Sequence, residues 1–211
     1  MGLAVITDGT EFLNTPGQVG FTPDGAHLIV TTKANGSDLD VFGVGRNGRV
    51  SDTFVANAST TPVPFGFSFD ATGHLAVAQA GGSTAATYVV NVDSTLTPIT
   101  TVPDGQAALC WIVGTNGFFY VANAGGDGTG TNGSISGYRV DANGQLVLFT
   151  VSFTDRGTTD LAVSSNGAYL YADTGATGVV DSFAINADGT LSALTPVVVP
   201  GGANLEGIVA T

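Results

Sequence analysis

A series of Gly-containing turns recurs along this chain at nearly constant spacing, and that period constrains the fold more than any other feature. Asp24-Gly25, Thr72-Gly73, Asn116-Gly117 and Asn166-Gly167 each precede an alternating apolar segment: Leu28 to Thr32, Leu75 to Gln79, Phe118 to Asn123 and Tyr169 to Asp173. The turn glycines are 48 (25 to 73), 44 (73 to 117) and 50 (117 to 167) residues apart. Self-similarity at about 40 to 50 residues is the mark of a propeller or solenoid, in which each repeat is one supersecondary unit stacked on its neighbours.

A second family of turns lies further along each repeat, at Asp8-Gly9, Asn47-Gly48, Asp93-Ser94, Asn143-Gly144 and Asp188-Gly189. Asn-Gly and Asp-Gly between alternating apolar strands predict two-residue type I′ hairpins, whose central residues both need φ > 0. Two hairpins per repeat give four antiparallel strands, A to D from the axis outward. Radial arrangement of such units makes an all-β β-propeller, in preference to a β-solenoid or a sandwich. Helix is nearly excluded, because the chain holds one Lys, two Glu and 31 Gly and sustains no 3.6-residue apolar period over three turns.

The two ends are out of phase with this repeat. Leu3 to Pro16 (LAVITDGTEFLNTP) reads like Phe183 to Pro196 (FAINADGTLSALTP), which assigns it to strands C and D. Leu205 to Thr211 reads like Asp160 to Ser165, which assigns it to strand A. The expectation is four complete four-stranded blades plus a fifth closed by strands from both termini, about five blades in all. Three closures follow: a monomer with a three-stranded last blade, a part of a longer propeller, or a half-propeller that pairs with a second copy through open strand edges.

Composition fits one domain over residues 1–211. At 43% hydrophobic the chain can bury a sizeable core, and no Pro-rich, Ser-rich or charged linker divides it. It contains neither an eighteen-residue apolar run nor a basic segment leading into an apolar one. The net charge is −12. Much of it belongs to turn residues such as Asp24, Asp93 and Asp188, whose side chains bond nearby backbone. With only five scattered cations, nucleic acid and membrane are not expected partners. Cys110 is the only cysteine, so no intrachain disulfide forms. Little Lys with much Thr, Asn, Ser and Gly points to an exported protein, and no cofactor is expected.

Three segments, FTPDGAHLIVTT (residues 21–32), VGTNGFFYVANA (113–124) and VSSNGAYLYADT (163–174), are followed by ISGYRVDANGQL (135–146) or VDSFAINADGTL (180–191). They resemble the repeat of YVTN-type propellers, in particular the lactonase family that includes 6-phosphogluconolactonase-like members. The resemblance covers essentially the whole chain and implies a propeller of seven blades in that family, more than this chain can supply. It also implies lactone hydrolysis by acidic, His and Arg residues in the central channel, yet the motif residues themselves build turns and strands.

Aligning strands A on their last apolar residue (Phe21, Phe69, Val113, Val163, Val209) brings Gln18, Gly66, Cys110, Asp160 and Glu206 to one level at the mouth of a central channel. Asp160 and Glu206 are the candidate catalytic pair, able to serve as a raised-pKa acid and its partner base or as solvated polar caps. Gln18, Cys110, Trp111, Asp160 and Glu206 are the candidate ligand-binding residues. Trp111 is read either as a stacking platform or as core between blades. His27 and His74 follow A-to-B turns on the opposite face and carry no expected catalytic role. Of the cations, only Lys33 and Arg156 lie near loops facing the site, which disfavours a phosphosugar pocket. Gly128 to Gly133 matches a dinucleotide-binding spacing in letters, but it lies between strands and reads as a surface loop. No metal site is expected. The function expected from these residues is a non-catalytic binding scaffold for a small molecule or protein, with a sugar-lactone hydrolase and a self-assembling half-propeller as alternatives.

Overall fold

A computed structural model describes residues 14–204 and 206–211. Their regular structure is four antiparallel sheets, each built from consecutive strands. Blade one holds β1 (Val19–Phe21), β2 (His27–Thr31), β3 (Asp38–Val44) and β4 (Val50–Ala58); blade two holds β5 (Pro64–Phe69), β6 (Leu75–Gln79), β7 (Thr84–Val90) and β8 (Leu96–Pro103). Blade three holds β9 (Ala107–Thr115), β10 (Phe118–Gly126), β11 (Gly133–Val140) and β12 (Leu146–Thr154), and blade four β13 (Thr158–Val163), β14 (Tyr169–Thr174), β15 (Val179–Ile185) and β16 (Leu191–Ala193). A short β17 (Val197–Val198) continues the outer strand on β15. Pro196, which has no N–H to donate, lies in the break between β16 and β17.

The sequence distinguishes inner from outer strands by burial. In blade two, β6 (LAVAQ) is buried along its whole length, whereas β8 is exposed or half-exposed throughout. The core accordingly lies between blades. One apolar cluster joins blades one and two (Ile29, Leu39, Val41 with Phe67, Leu75, Val77), a second joins two and three, and a third joins three and four (Tyr120, Ile135 with Leu161, Leu170, Phe183).

The turns differ from expectation in type. Asp8-Gly9 lies outside the described residues; among the turns within them, only Asn116-Gly117 has both central residues at positive φ (51° and 81°) and is a two-residue hairpin. The others are four-residue turns closed from the fourth residue to the first, as in Gly25 N–H to the Thr22 carbonyl and Gly144 N–H to Asp141, with the fourth residue in the left-handed region. The Asx residue before it stays at negative φ and uses its side chain instead. Asp24 Oδ1 accepts from Ala26 N–H at 3.0 Å, Asp93 Oδ1 from Thr95 N–H at 3.1 Å and Asp188 Oδ1 from Thr190 N–H at 3.0 Å. A type I turn followed by a left-handed residue produces this pattern.

Two of the links from an outer strand to the next inner strand are held by a polar side chain of a B strand. Gln79 donates from Nε2 to Ser59 Oγ at 2.6 Å and accepts at Oε1 from Thr61 Oγ1 at 2.8 Å, fixing the link between blades one and two. Asn123 donates to Ser134 and Ser136, whose hydroxyls donate to Gln106 Oε1 and Asp104 Oδ2 in the next link. Blade four carries Asp173 at the equivalent position. The inner strands themselves approach so closely that Gly66 has no room for a side chain: a Cβ there would lie 2.9 Å from both the Cys110 carbonyl oxygen and Trp111 Cα.

The fifth blade falls largely beyond these elements. Of Leu3 to Pro16, residues 3–13 lie outside the described residues. Residues 206–211, expected as a strand A, form no ladder with the described residues; Val209 is 86% exposed. The segment is instead tied to blade four by Ile208 N–H, which donates to Asp160 Oδ2 at 3.0 Å.

Two outcomes follow from the repeat. Gly66→Ala forces a methyl against backbone that cannot swing aside, which costs about 1–3 kcal/mol; thermal unfolding should show a midpoint several degrees lower, and an unchanged midpoint would contradict the close approach. Asp173 is held above the ordinary 3.8 by burial first and then by the charges of Asp160 and Glu206. A carboxyl whose folded pKa is raised weakens the fold once pH exceeds the unfolded value, and fully so above the folded one. Asp173→Asn, the side chain blade three already uses, should raise the unfolding midpoint at neutral pH, with the gain shrinking as pH falls toward 3.8.

Candidate functional site

The inner strands and the links and B-to-C loops beside them converge on one end of the axis. Lys33 enters from blade one, in the turn after β2 at φ 52°. Its side chain is 7% exposed, with Nζ 4.3 Å from the centre of the Phe65 ring and 3.3 Å from Thr15 Oγ1. Burial lowers its pKa, and the negative charge of Glu206 opposes that shift, joined by Cys110 only at a pH high enough to ionise its thiol. A cation from blade one therefore shares a field with groups from blade three and the last segment of the chain.

Asp160 is 8% exposed. Its Oδ1 accepts from Leu161 N–H at 2.7 Å and its Oδ2 from Ile208 N–H at 3.0 Å. Burial dominates and raises its pKa, the two backbone donors oppose this, and the Glu206 charge adds to it. Asp173 pairs with Asp160 across β13 and β14. Two carboxyls on adjacent strands with a third nearby make a place where a proton is held more firmly than on an isolated carboxylate. Glu206 itself is exposed.

Cys110 donates from Sγ to the Ala108 carbonyl at 3.1 Å, and burial pushes its thiol up to about 11. At neutral pH it is a neutral thiol, which is a poor nucleophile. Gln18 is committed to the scaffold, since Oε1 accepts the Phe67 N–H of blade two at 2.6 Å. Trp111 is half-buried and packs against the apolar cluster between blades three and four. The structure thus gathers Lys33, Cys110, Asp160 and Glu206, while Gln18 and Trp111 serve the joints between blades. Arg156 is exposed in the link before β13.

Asp173 escaped the sequence reading because strand alignment followed only the inner strands. The signal was the buried polar residue that ends every B segment, at Thr31, Gln79, Asn123 and Asp173. In the loop after β10, Asp127 Oδ1 accepts from Thr129 N–H at 2.9 Å and from its hydroxyl at 2.6 Å, so its carboxylate closes a local turn. Among the described residues, no group of three or more His, Cys, Asp or Glu side chains is placed to hold a metal ion.

No protein-family model and no curated protein matches this chain. Solved structures do. A provisionally assigned 6-phosphogluconolactonase from Bacteroides fragilis superimposes with a TM-score of 0.74 at 19% identity, over 94% of this chain and 59% of that one. A second such protein, from Bacteroides uniformis, gives 0.72 at 18% over 87% and 55%. The periplasmic gluconolactonase of Pseudomonas aeruginosa gives 0.68 at 18% over 86% and 56%. The chain therefore spans less than three-fifths of the length of these proteins, and what it shares with them is the lactonase-type β-propeller fold.

Proposed function

We propose that the channel mouth binds a phosphate-free sugar lactone and promotes its hydrolysis. The observation that carries this reading is Asp160: a buried carboxyl with a raised pKa in the field of a second carboxylate, Glu206, which also acts on the Lys33 ammonium. The lactonase names borne by two kinds of structural neighbour support the same class of reaction. The acidic surroundings and the single ammonium favour a neutral substrate over a phosphorylated one, because a phosphate is held by clustered cations.

Lactone opening needs water activated at the carbonyl, charge stabilised on the developing oxyanion, and a proton for the departing ring oxygen. Glu206 is exposed and takes the proton from the attacking water. The Lys33 ammonium faces the oxyanion. As the ring C–O bond breaks, Asp160 gives its proton to the alkoxide; transfer of the proton from Glu206 to Asp160 then restores both carboxyls, and the product acid releases its own proton to solvent. A second reading, a non-catalytic binding scaffold, draws on the fact that both Asp160 oxygens already accept backbone N–H groups.

The test is hydrolysis of glucono-δ-lactone, followed by proton release above the spontaneous rate. Asp160→Asn and Glu206→Gln should each lower kcat by about 10²–10⁴, the usual share of general acid–base catalysis. Glu206→Gln, at an exposed position, should leave the unfolding midpoint near wild type, and it is the control for Asp160→Asn, which gives up one of two acceptors of backbone N–H groups. Activity should also fall as pH rises past the raised pKa of Asp160, since the acid is then lost. Saturable binding of the lactone without turnover in the wild type would overturn the enzyme reading in favour of the scaffold.

A further inference from the structure

On the face opposite the channel mouth, the turns of blades one and two enclose a groove of about 1100 Å³. The equivalent crevice between blades two and three is about 480 Å³. The difference lies in the residue that follows each A-to-B turn. In blade two His74 fills the space under the Gly144 turn of blade three, 3.0 Å from where a Gly144 Cβ would stand. In blade three Phe118 fills the space under the Gly189 turn of blade four, at 2.4 Å by the same measure. Blade one has Ala26 there, and its methyl leaves the joint with blade two unfilled.

The walls of this groove carry polar and charged groups that reach its space. His27 is only 7% exposed and lines the groove, yet its imidazole makes no hydrogen bond with the described residues. Its ring nitrogens stay accessible to solvent, and the Asp24 carboxylate acts on the ring electrostatically. His74 Nδ1 lies 2.8 Å from both Asp70 Oδ2 and Thr72 Oγ1, which leaves Nε2 as the ring atom without a protein partner. Arg49 is exposed, and its hydrogen bonds with the described residues are all made by its backbone: its N–H donates to Asn47 Oδ1 and its carbonyl accepts from Gly45 N–H. Of the acidic residues nearby, Asp24 Oδ1 is occupied by Thr22 Oγ1 and Ala26 N–H, and Asp70 by His74. Asp24 Oδ2 and the Asp52 carboxylate are the unengaged acidic groups of the lining. Val50, Val89, Val90 and Val92 supply an apolar wall, with Val92 98% exposed.

We propose that this groove is a second binding site, distinct from the channel mouth, for a small organic carboxylate with an apolar body. The Arg49 guanidinium offers a planar fork that matches a carboxylate, and His27 supplies a solvent-accessible imidazole beside it. The valines cover the body of the ligand, and the volume suits a molecule of that size.

The test uses 3-phenylpropionate as the probe and 3-phenylpropanamide as its uncharged counterpart, followed by the imidazole C–H and valine methyl resonances of the full chain. The carboxylate should shift the His27, His74 and Val92 signals saturably, and the amide should bind at least tenfold more weakly. Arg49→Gln, at an exposed position, should weaken the carboxylate about tenfold or more, in line with loss of a charge-assisted hydrogen bond. Ala26→Phe, which installs the filler that blade three already carries, should abolish the shifts. Equal binding of acid and amide, indifference to Arg49→Gln, or the absence of any saturable shift would each overturn the proposal.

Discussion

The structure depends on how each chain link returns from the rim of one blade to the axis of the next. Such a link is irregular backbone brought next to buried strands, and its polar groups must be matched where water is scarce. Here the matching comes from the neighbouring blade's own strands, through Gln79 to Ser59 and Thr61, and through Asn123, Ser134 and Ser136 to Asp104 and Gln106. With the links fixed, apolar faces of successive blades can close on each other, and the inner strands can approach to the distance that Gly66 permits. Interblade packing and the polar ring are thus one device.

The same convergence creates the chemistry at the channel mouth. Residues far apart in sequence, Lys33, Cys110, Asp160 and Glu206, act on one another's charge because the loops and inner strands of three blades and the last segment meet there. Burial raises the carboxyls of Asp160 and Asp173 and the thiol of Cys110, and lowers the ammonium of Lys33. Every one of these shifts favours the neutral form of its group. Perturbed groups gathered in one place are what the proposed proton transfer draws on.

Much of this fold was legible from turns and alternation. Gly25, Gly73, Gly117 and Gly167 mark the hairpins because each holds a positive φ, and the apolar runs after them are the buried B strands. The turn type was not legible: an Asx-Gly pair serves both the I′ hairpin and the longer turn, and the choice rests on side-chain bonds such as Asp24 to Ala26. Asp160, Glu206 and Cys110 could be aligned because inner strands share a period. The roles of Gln18 and Trp111 could not, because whether an inner-strand side chain faces the channel or a neighbouring blade depends on bulges that the letters do not reveal, as between Thr158 and Asp160. Ala26 as a missing filler becomes visible only when the joints between blades are compared.

The claim on which the account of the mouth rests is that Asp160 and Glu206 share one electrostatic site. Carbon-13 NMR titration of the Asp160 carboxyl, in the wild type and in Glu206→Gln, tests it directly. The account predicts a wild-type pKa above 3.8 that moves down when the Glu206 charge is removed. An Asp160 pKa at or below 3.8, or a raised value unmoved by Glu206→Gln, would contradict it.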